Sequence, residues 1–388
     1  MSPRTRDTLG GRAAIAGIGA TEFSKDSGRS ELTLAVEAVH AALDDAGLVP
    51  ADVDGLVTFT MDTSPEITVA QAAGIGELSF FSRIHYGGGA ACATVQQAAL
   101  AVATGIAEVV VCYRAFNERS GRRFGSGVQH REPSAEGAAL GWQLPFGLLT
   151  PASWVAMVAQ RYLHVYGLTP DAFGHVAVTD RRHAATNPAA YFYGRPITLA
   201  DHAASRWIAE PLRLLDCCQE TDGGQAIVVT SVERARDLRR PPAVITAAAQ
   251  GAGRGQEAMT SFYRDGLTGL PETGVVARQL WRTSGLAPGD IDVGILYDHF
   301  TPFVLMQLEE FGFCAPGEAA DFVAADALPL NTHGGQLGEA YLHGMNGIAE
   351  AVRQVRGTSV NQVPGAARVL VTAGTGVPTS GLILGADG

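Results

Sequence analysis

Ala41-Ala-Leu-Asp-Asp-Ala-Gly-Leu-Val-Pro-Ala-Asp-Val-Asp-Gly-Leu-Val-Thr-Phe59 reads as a helix end, a glycine stop, a proline turn and an apolar strand. Far along the chain, Gln279-Leu-Trp-Arg-Thr-Ser-Gly-Leu-Ala-Pro-Gly-Asp-Ile-Asp-Val-Gly-Ile-Leu-Tyr297 repeats it at one constant offset. Gly47 matches Gly285, Pro50 matches Pro288 and Asp54 matches Asp292. A short apolar strand precedes each copy, over Ala13 to Ile18 and Ala243 to Ala248. A Gly-rich loop, a helix and an apolar strand follow: Gly87-Gly-Gly, Ala90 to Thr104 and Ala107 to Tyr113 in the first, His333-Gly-Gly, Asn346 to Val355 and Arg368 to Thr372 in the second. The pattern predicts an internally duplicated α/β unit. Continuous apolar strands such as Val109-Val-Val-Cys112 suit a sheet covered by helices on both faces.

The duplication divides the chain into residues 1–240 and 241–388, with a long insertion over 114–215 in the first half. That insertion holds several aromatic residues and histidines, a predicted helix from Ser153 to Tyr166 and the polar run Asp180-Arg-Arg-His-Ala-Ala-Thr-Asn-Pro188. It suits substrate loops or the packing of a dimer.

Composition narrows the function classes. With 388 residues, 46% hydrophobic and 17% charged, the chain can bury one large core or two medium ones. Its net charge of −11 argues against a nucleic-acid surface, which needs a concentrated basic face. The start is polar, and no apolar run reaches the roughly 20 residues of a membrane span, so a soluble, cytoplasmic protein is expected. Cys92, Cys112, Cys217, Cys218 and Cys314 lack CxxC spacing and read as reduced thiols. Lys25 is the only lysine, so a Schiff-base mechanism has one candidate, in a stretch that reads as an exposed loop.

Cys217-Cys-Gln-Glu-Thr-Asp-Gly-Gly-Gln-Ala-Ile-Val-Val229, with Tyr166-Gly-Leu-Thr and His183-Ala-Ala-Thr-Asn-Pro188 upstream, resembles the sterol-carrier-protein branch of the thiolase superfamily. The resemblance covers nearly the whole chain and implies the thiolase fold, an α/β architecture of two duplicated halves in five layers. Thiolases use a nucleophilic cysteine at a helix N-terminus, an Asn-Glu-Ala-Phe block, a Gly-His-Pro block and a second cysteine. Here the nucleophile position is Gly88 and the asparagine position is Tyr297, in Tyr297-Asp298-His299-Phe300. The histidine position is Tyr341, and the second cysteine is Thr372. Cys92 lies about one helical turn further on, and a residual thiolase would have to use it.

Without either cysteine, acyl-enzyme chemistry loses its nucleophile. The Gly-rich loops at Gly87, Gly88, Gly89, Gly374 and Gly376 remain, and their backbone N–H groups could bind an oxyanion. Together, Gly87-Gly-Gly, Tyr297-Asp-His-Phe300 and Tyr341-Leu-His-Gly-Met-Asn346 resemble the actinobacterial lipid-transfer-protein branch of the superfamily, and the last block is similar to that of steroid side-chain aldolases. Those cleave a 17-hydroxy steroid bearing a short acyl-CoA side chain to a 17-ketosteroid and propionyl-CoA. The resemblance further implies a homodimer and a DUF35-type partner with a zinc ribbon and an OB fold that helps bind CoA.

A retro-aldol cleavage needs a base, enolate stabilisation and an acid. Tyr297 and Tyr341, with His299 and His343 two residues from each, are the candidates to divide these duties, and His343 and Asp298 are candidate orienters. A free tyrosine, with pKa ~10, is a poor base at pH 7 unless its proton has somewhere to go. Two readings compete: a non-catalytic lipid or acyl-CoA binding protein, and a thiolase using Cys92. No cofactor is expected beyond the CoA of the substrate. His333, Glu339 and His343 do not form a recognised metal motif, so no metal is expected. Arg181, Arg182 and Arg195 are candidate phosphate contacts.

Overall fold

In the computed structural model, which describes residues 9–121, 123–126, 141–257 and 259–387, the chain begins with β1 (Ala13–Ala20), α1 (Glu31–Ala46), β2 (Gly55–Phe59), α2 (Glu66–Ala73), β3 (Phe80–Ile84), α3 (Ala91–Ala103) and β4 (Val109–Asn117). Helices α4 (Pro151–Tyr166), α5 (Asp171–Thr186) and α6 (Leu199–Ala204) follow, with a small hairpin, β5 (Trp207–Ala209) and β6 (Leu212–Arg213). Next come β7 (Asp222–Ser231) and α7 (Val232–Arg236). The remainder runs β8 (Ala243–Gly251), α8 (Pro271–Ser284), β9 (Val293–Ile295), α9 (Thr301–Glu310), α10 (Ala319–Ala324), α11 (Gly335–Gly338), α12 (Met345–Arg356), β10 (Arg368–Thr372) and β11 (Thr379–Ala386).

The repeated segments fold alike, for local reasons. α1 ends at Gly47 with φ 78° and α8 at Gly285 with φ 72°, a left-handed conformation that glycine adopts without a Cβ penalty. Pro50–Asp52 and Pro288–Asp290 each make one 3₁₀ turn. Asp54 then accepts the backbone N–H of Glu108 and Val109, at 2.9 Å each. Asp292 accepts those of Ala367 and Arg368, at 2.9 and 2.8 Å. Each aspartate thus fixes where the neighbouring parallel strand begins, β4 beside β2 and β10 beside β9.

One nine-stranded sheet results, in the order β3-β2-β4-β7-β1-β8-β11-β10-β9. Its halves meet at a short antiparallel seam where Ala14 faces Val244 and Ile15 faces Ala243. Helices α3 and α12, one from each repeat, pack between the two halves of the sheet. Their buried faces are small and close-fitting: Cys92, Ala93, Val95 and Ala98 on one, Ile348, Ala349 and Val352 on the other. α1 and α2 cover the outside of the first half and α8 that of the second, giving five layers.

The insertion packs on the far half. Tyr162 of α4 and Phe173 of α5 share a core with Phe303 and Leu305 of α9. α5 also meets α10 and α11, so the insertion reaches across to the loops that carry Tyr297 and Tyr341. The Asp180–Thr186 part of the polar run continues α5. The strand expected to end at Tyr113 runs on to Asn117, because β7 pairs with it all the way, from Val109 opposite Thr230 to Asn117 opposite Asp222. No helix among the described residues is long and apolar enough to cross a membrane.

Candidate active site

Strand β9 stops at Ile295, and the chain beyond it turns Tyr297 and His299 into a cavity of about 1310 Å³. That exceeds the roughly 300–1,000 Å³ of drug-sized sites and leaves room for a long ligand. Tyr297 is anchored by its backbone: its N–H donates to Thr372 Oγ1 at 2.9 Å, and its carbonyl accepts from Gln307 Nε2 at 2.8 Å. Thr372 in turn donates to Gln307 Oε1. The residue at the second cysteine position therefore supports the tyrosine at the asparagine position.

The side chain of Tyr297 occupies the nucleophile's place. A Cβ on Gly88 would fall 2.0 Å from Tyr297 Oη and 2.3 Å from Cζ; one on Gly374 would fall 2.6 Å from Cε1. No side chain fits at position 88 while this ring is there. The Tyr297 hydroxyl donates to that of Tyr341 at 3.3 Å. Tyr341 is held by Thr221, whose hydroxyl accepts the Tyr341 N–H at 2.8 Å and donates to its carbonyl at 3.2 Å. Burial pushes both phenols well above their ordinary pKa near 10. They are neutral proton donors, and the depressed pKa that a tyrosine base would need is not what this site produces.

His343 adopts a left-handed backbone, φ 52°, that turns its ring into the cavity. The ring stacks on Phe116 with centroids 5.2 Å apart. Its Nδ1 accepts from Arg114 Nε at 3.1 Å, and Arg114 pairs with buried Asp62 at 3.1 Å. Burial and the Arg114 charge push the imidazole pKa well below its ordinary value. The ring is therefore neutral, with its proton on Nε2, the nitrogen beside Gly87. His299 packs against Tyr297, centroids 4.7 Å apart, and burial lowers its pKa to about 3.

Other expectations are corrected. Asp298 points away from the cavity: its carboxylate accepts the N–H groups of Gln336 and Leu337 at the start of α11, at 2.8 and 2.9 Å. It positions the start of α11 and does not line the cavity. Of the five glycines, Gly87 and Gly88 line the cavity. The Gly374 N–H is already given to the Gly88 carbonyl at 3.1 Å, while the Gly89 carbonyl accepts from Ser380 and that of Gly376 from Gln256 and Thr379. The Gly374–Gly88 bond ties the two loops together, and Gly89, Gly374 and Gly376 do not line the cavity. Cys92 is buried in the core, with its thiol directed at the Val371 carbonyl and its pKa pushed up by burial, so it is no cavity nucleophile.

Lys25 is less exposed than its loop suggested. It lines the cavity, donates to the Glu220 carbonyl at 2.6 Å and to Gln219 Oε1 at 3.2 Å, and burial lowers its pKa to about 8. Among the arginines, Arg181 lines the cavity and lies over the Phe192 ring at 3.5 Å. Arg182 is paired with Asp326 at 2.7 Å instead, and Arg195 is not part of the lining. Glu339 is engaged by Asn187 and Asn346, at 3.0 and 2.9 Å, and His343 by Arg114; among the described residues no group of three His, Cys, Asp or Glu side chains could hold a metal ion. Two features escaped the sequence reading: the Arg114–Asp62 pair behind His343, and Glu118, a buried carboxyl on the cavity wall.

Comparison with known proteins identifies the family. The model of the family described as thiolase C-terminal domain-like matches residues 253–385. The steroid side-chain-cleaving aldolase of Thermomonospora curvata is 71% identical over 387 residues, 98% of this chain and 99% of that protein. The 17-hydroxy-3-oxo-4-pregnene-20-carboxyl-CoA lyase of Mycobacterium tuberculosis is 68% identical, over 97% of this chain and all of that protein. The solved Ltp2-ChsH2(DUF35) aldolase superposes with a TM-score of 0.94 at 70% identity, covering 98% of this chain and 99% of that one. With its fold and these relatives in agreement, the chain belongs to the steroid side-chain-cleaving aldolases, a branch of the thiolase superfamily.

Proposed function

We propose that this protein cleaves the side chain of a 17-hydroxy steroid acyl-CoA by a retro-aldol reaction, releasing a 17-ketosteroid and propionyl-CoA. The observation that carries the reading is the exchange at the centre of the site: the Tyr297 phenol stands where a nucleophile's side chain would be and is hydrogen-bonded to Tyr341. As the carbon–carbon bond breaks, negative charge moves to the thioester oxygen. Hydrogen-bond donors stabilise that oxygen, and Tyr341 O–H and His343 Nε2–H are such donors.

The chemistry needs no cofactor beyond the CoA of the substrate. A Schiff base at Lys25 does not serve it, because the carbonyl that accepts the electrons is a thioester, and amine attack there would expel CoA instead of forming an imine. The chain works as a homodimer with a DUF35-type protein, the kind of partner named in the solved Ltp2-ChsH2(DUF35) aldolase.

The test is incubation of the chain, alone and co-expressed with its DUF35-type partner, with the steroid acyl-CoA, followed by mass spectrometry. The complex should release equal amounts of 17-ketosteroid and propionyl-CoA, the chain alone far less, and borohydride should trap no adduct on Lys25. Thiolysis of a β-ketoacyl-CoA without any ketone release would overturn the reading.

A further inference from the structure

Besides Glu118 the cavity is lined by three carboxyl groups, each already engaged: Asp62 pairs with Arg114 at 3.1 Å, Glu220 with Arg123 at 2.7 Å, and Glu31 accepts the Asn117 N–H at 2.9 Å. Both phenols and His343 are neutral proton donors, His299 is too weakly basic, and Lys25 carries its proton at pH 7. Cleavage still requires a group that takes the proton of the β-hydroxyl.

Glu118 is built for that task. It follows β4 directly, and Arg114, Phe116 and Glu118, two residues apart, line the cavity together. The next two N–H groups, of Arg119 and Ser120, are clamped by Asp222 at 2.8 and 3.0 Å, which fixes where the side chain emerges. The residue is 3% exposed. Its carboxyl accepts the Thr221 N–H, the same residue whose hydroxyl holds Tyr341. Its Oε2 has no hydrogen-bond partner among the described residues, an uncommon state for a buried carboxyl oxygen.

We propose that Glu118 is the catalytic base of the cleavage, taking the proton of the substrate's β-hydroxyl on its free Oε2. The inference rests on the proposed function. The hydroxyl O–H bond breaks and the proton passes to Glu118 as the ketone C=O forms. The electron pair of the broken carbon–carbon bond enters the thioester as an enolate, whose oxygen the neutral donors hold. Glu118 then returns its proton to the α-carbon, so the site ends as it began and no oxidant or reductant is consumed.

The charges around Glu118 fit a strong base. Glu220 repels its carboxylate, while Arg114 on β4 and Lys25 on the loop after β1 attract it; Cys218, Tyr297 and Tyr341 complete the titratable groups facing it. Burial outweighs the attraction and raises the carboxyl pKa well above its ordinary value. A base must be deprotonated to act, so activity should fall as pH falls through that raised pKa. Glutamine keeps the size and removes the charge that burial penalises, so Glu118→Gln should not cost stability at neutral pH.

The experiment measures cleavage by wild-type, Glu118→Gln and Glu118→Asp complexes with the DUF35-type partner, from pH 5.5 to 9, with circular dichroism as the folding control. Glu118→Gln should lose about 10²–10⁴-fold in kcat with KM little changed, and with it the acidic limb of the profile. Glu118→Asp should be slower than wild type but keep that limb. A folded Glu118→Gln complex at wild-type rate, or a wild-type profile flat throughout this range, would overturn the assignment. A wild-type complex that cleaves no steroid acyl-CoA at all would instead count against the proposed function.

Discussion

Position 88 shows how one residue can decide a chemistry. In the thiolase arrangement a cysteine there would stand at the start of a helix; here the glycine leaves space that the Tyr297 ring enters from another loop. The two changes depend on each other, since a Cβ on Gly88 and the phenol cannot share the space. Gly344 and Gly374 press on the same ring, so it has little room to retreat. Gly88→Ala should therefore displace the Tyr297 hydroxyl. Overpacking of this kind costs about 1–3 kcal/mol of stability, and a misplacement near 1 Å costs on the order of 10²-fold in rate. Unfolding and turnover of the Gly88→Ala complex check this, and full activity would show that the phenol does not need its position. The positions of Tyr297 and Tyr341 were legible in the sequence because a family motif fell on them. Glu118 was not, because the apolar run marks the strand only to Tyr113; with pairing that continues to Asn117, the two-residue alternation from Arg114 places it on the cavity face.

Among the elements, the repeat was the most legible feature, since it is written in backbone chemistry. A glycine that must be left-handed, a proline turn and an aspartate that caps the next strand leave fixed marks at fixed spacing. The insertion left no comparable mark. Its helices pack by nonlocal contact with α9 to α11, and nothing in its own residues says which half it will cover. Asp298 was misread for a related reason: the strand ends at Ile295, and the loop beyond turns its carboxylate to the start of α11. The role given to the repeat's aspartates predicts that Asp292→Ala loses about 1–2 kcal/mol. The urea midpoint should shift at unchanged slope; an unaltered midpoint would mean that the start of β10 is fixed by other contacts.

Across the whole molecule, function rests on burying polar groups around a large cavity. Burial keeps His299, His333 and His343 neutral, and this couples folding to pH. His299 titrates near 6.5 when the chain is unfolded and only at about 3 in the fold. Its folded pKa is depressed, so its contribution is present above pH 6.5 and is lost as pH falls from there toward 3. Buried carboxyls work in the opposite direction; burial raises Asp298 to about 6. The histidine's share is therefore best read from a variant. His299→Phe removes it, and relative to wild type this variant should gain about 2 kcal/mol between pH 7 and pH 5. Denaturant unfolding at the two pH values measures the difference, and an equal offset at both would show that His299 titrates normally.

The central claim is that a pair of buried phenols has replaced the cysteine machinery of the fold. Tyr→Phe removes one hydroxyl and keeps the ring that fills the space beside Gly88. Turnover of the steroid acyl-CoA by Tyr297→Phe, Tyr341→Phe and the double variant, each in the partner complex with circular dichroism as control, tests the claim most directly. Each single variant should fold and lose about 10²–10³-fold in kcat, as when one donor to a developing oxyanion is removed, and the double variant should lose less than the product of the two, because both act on one transition state. Folded Tyr297→Phe and Tyr341→Phe complexes that cleave at near wild-type rates would contradict it.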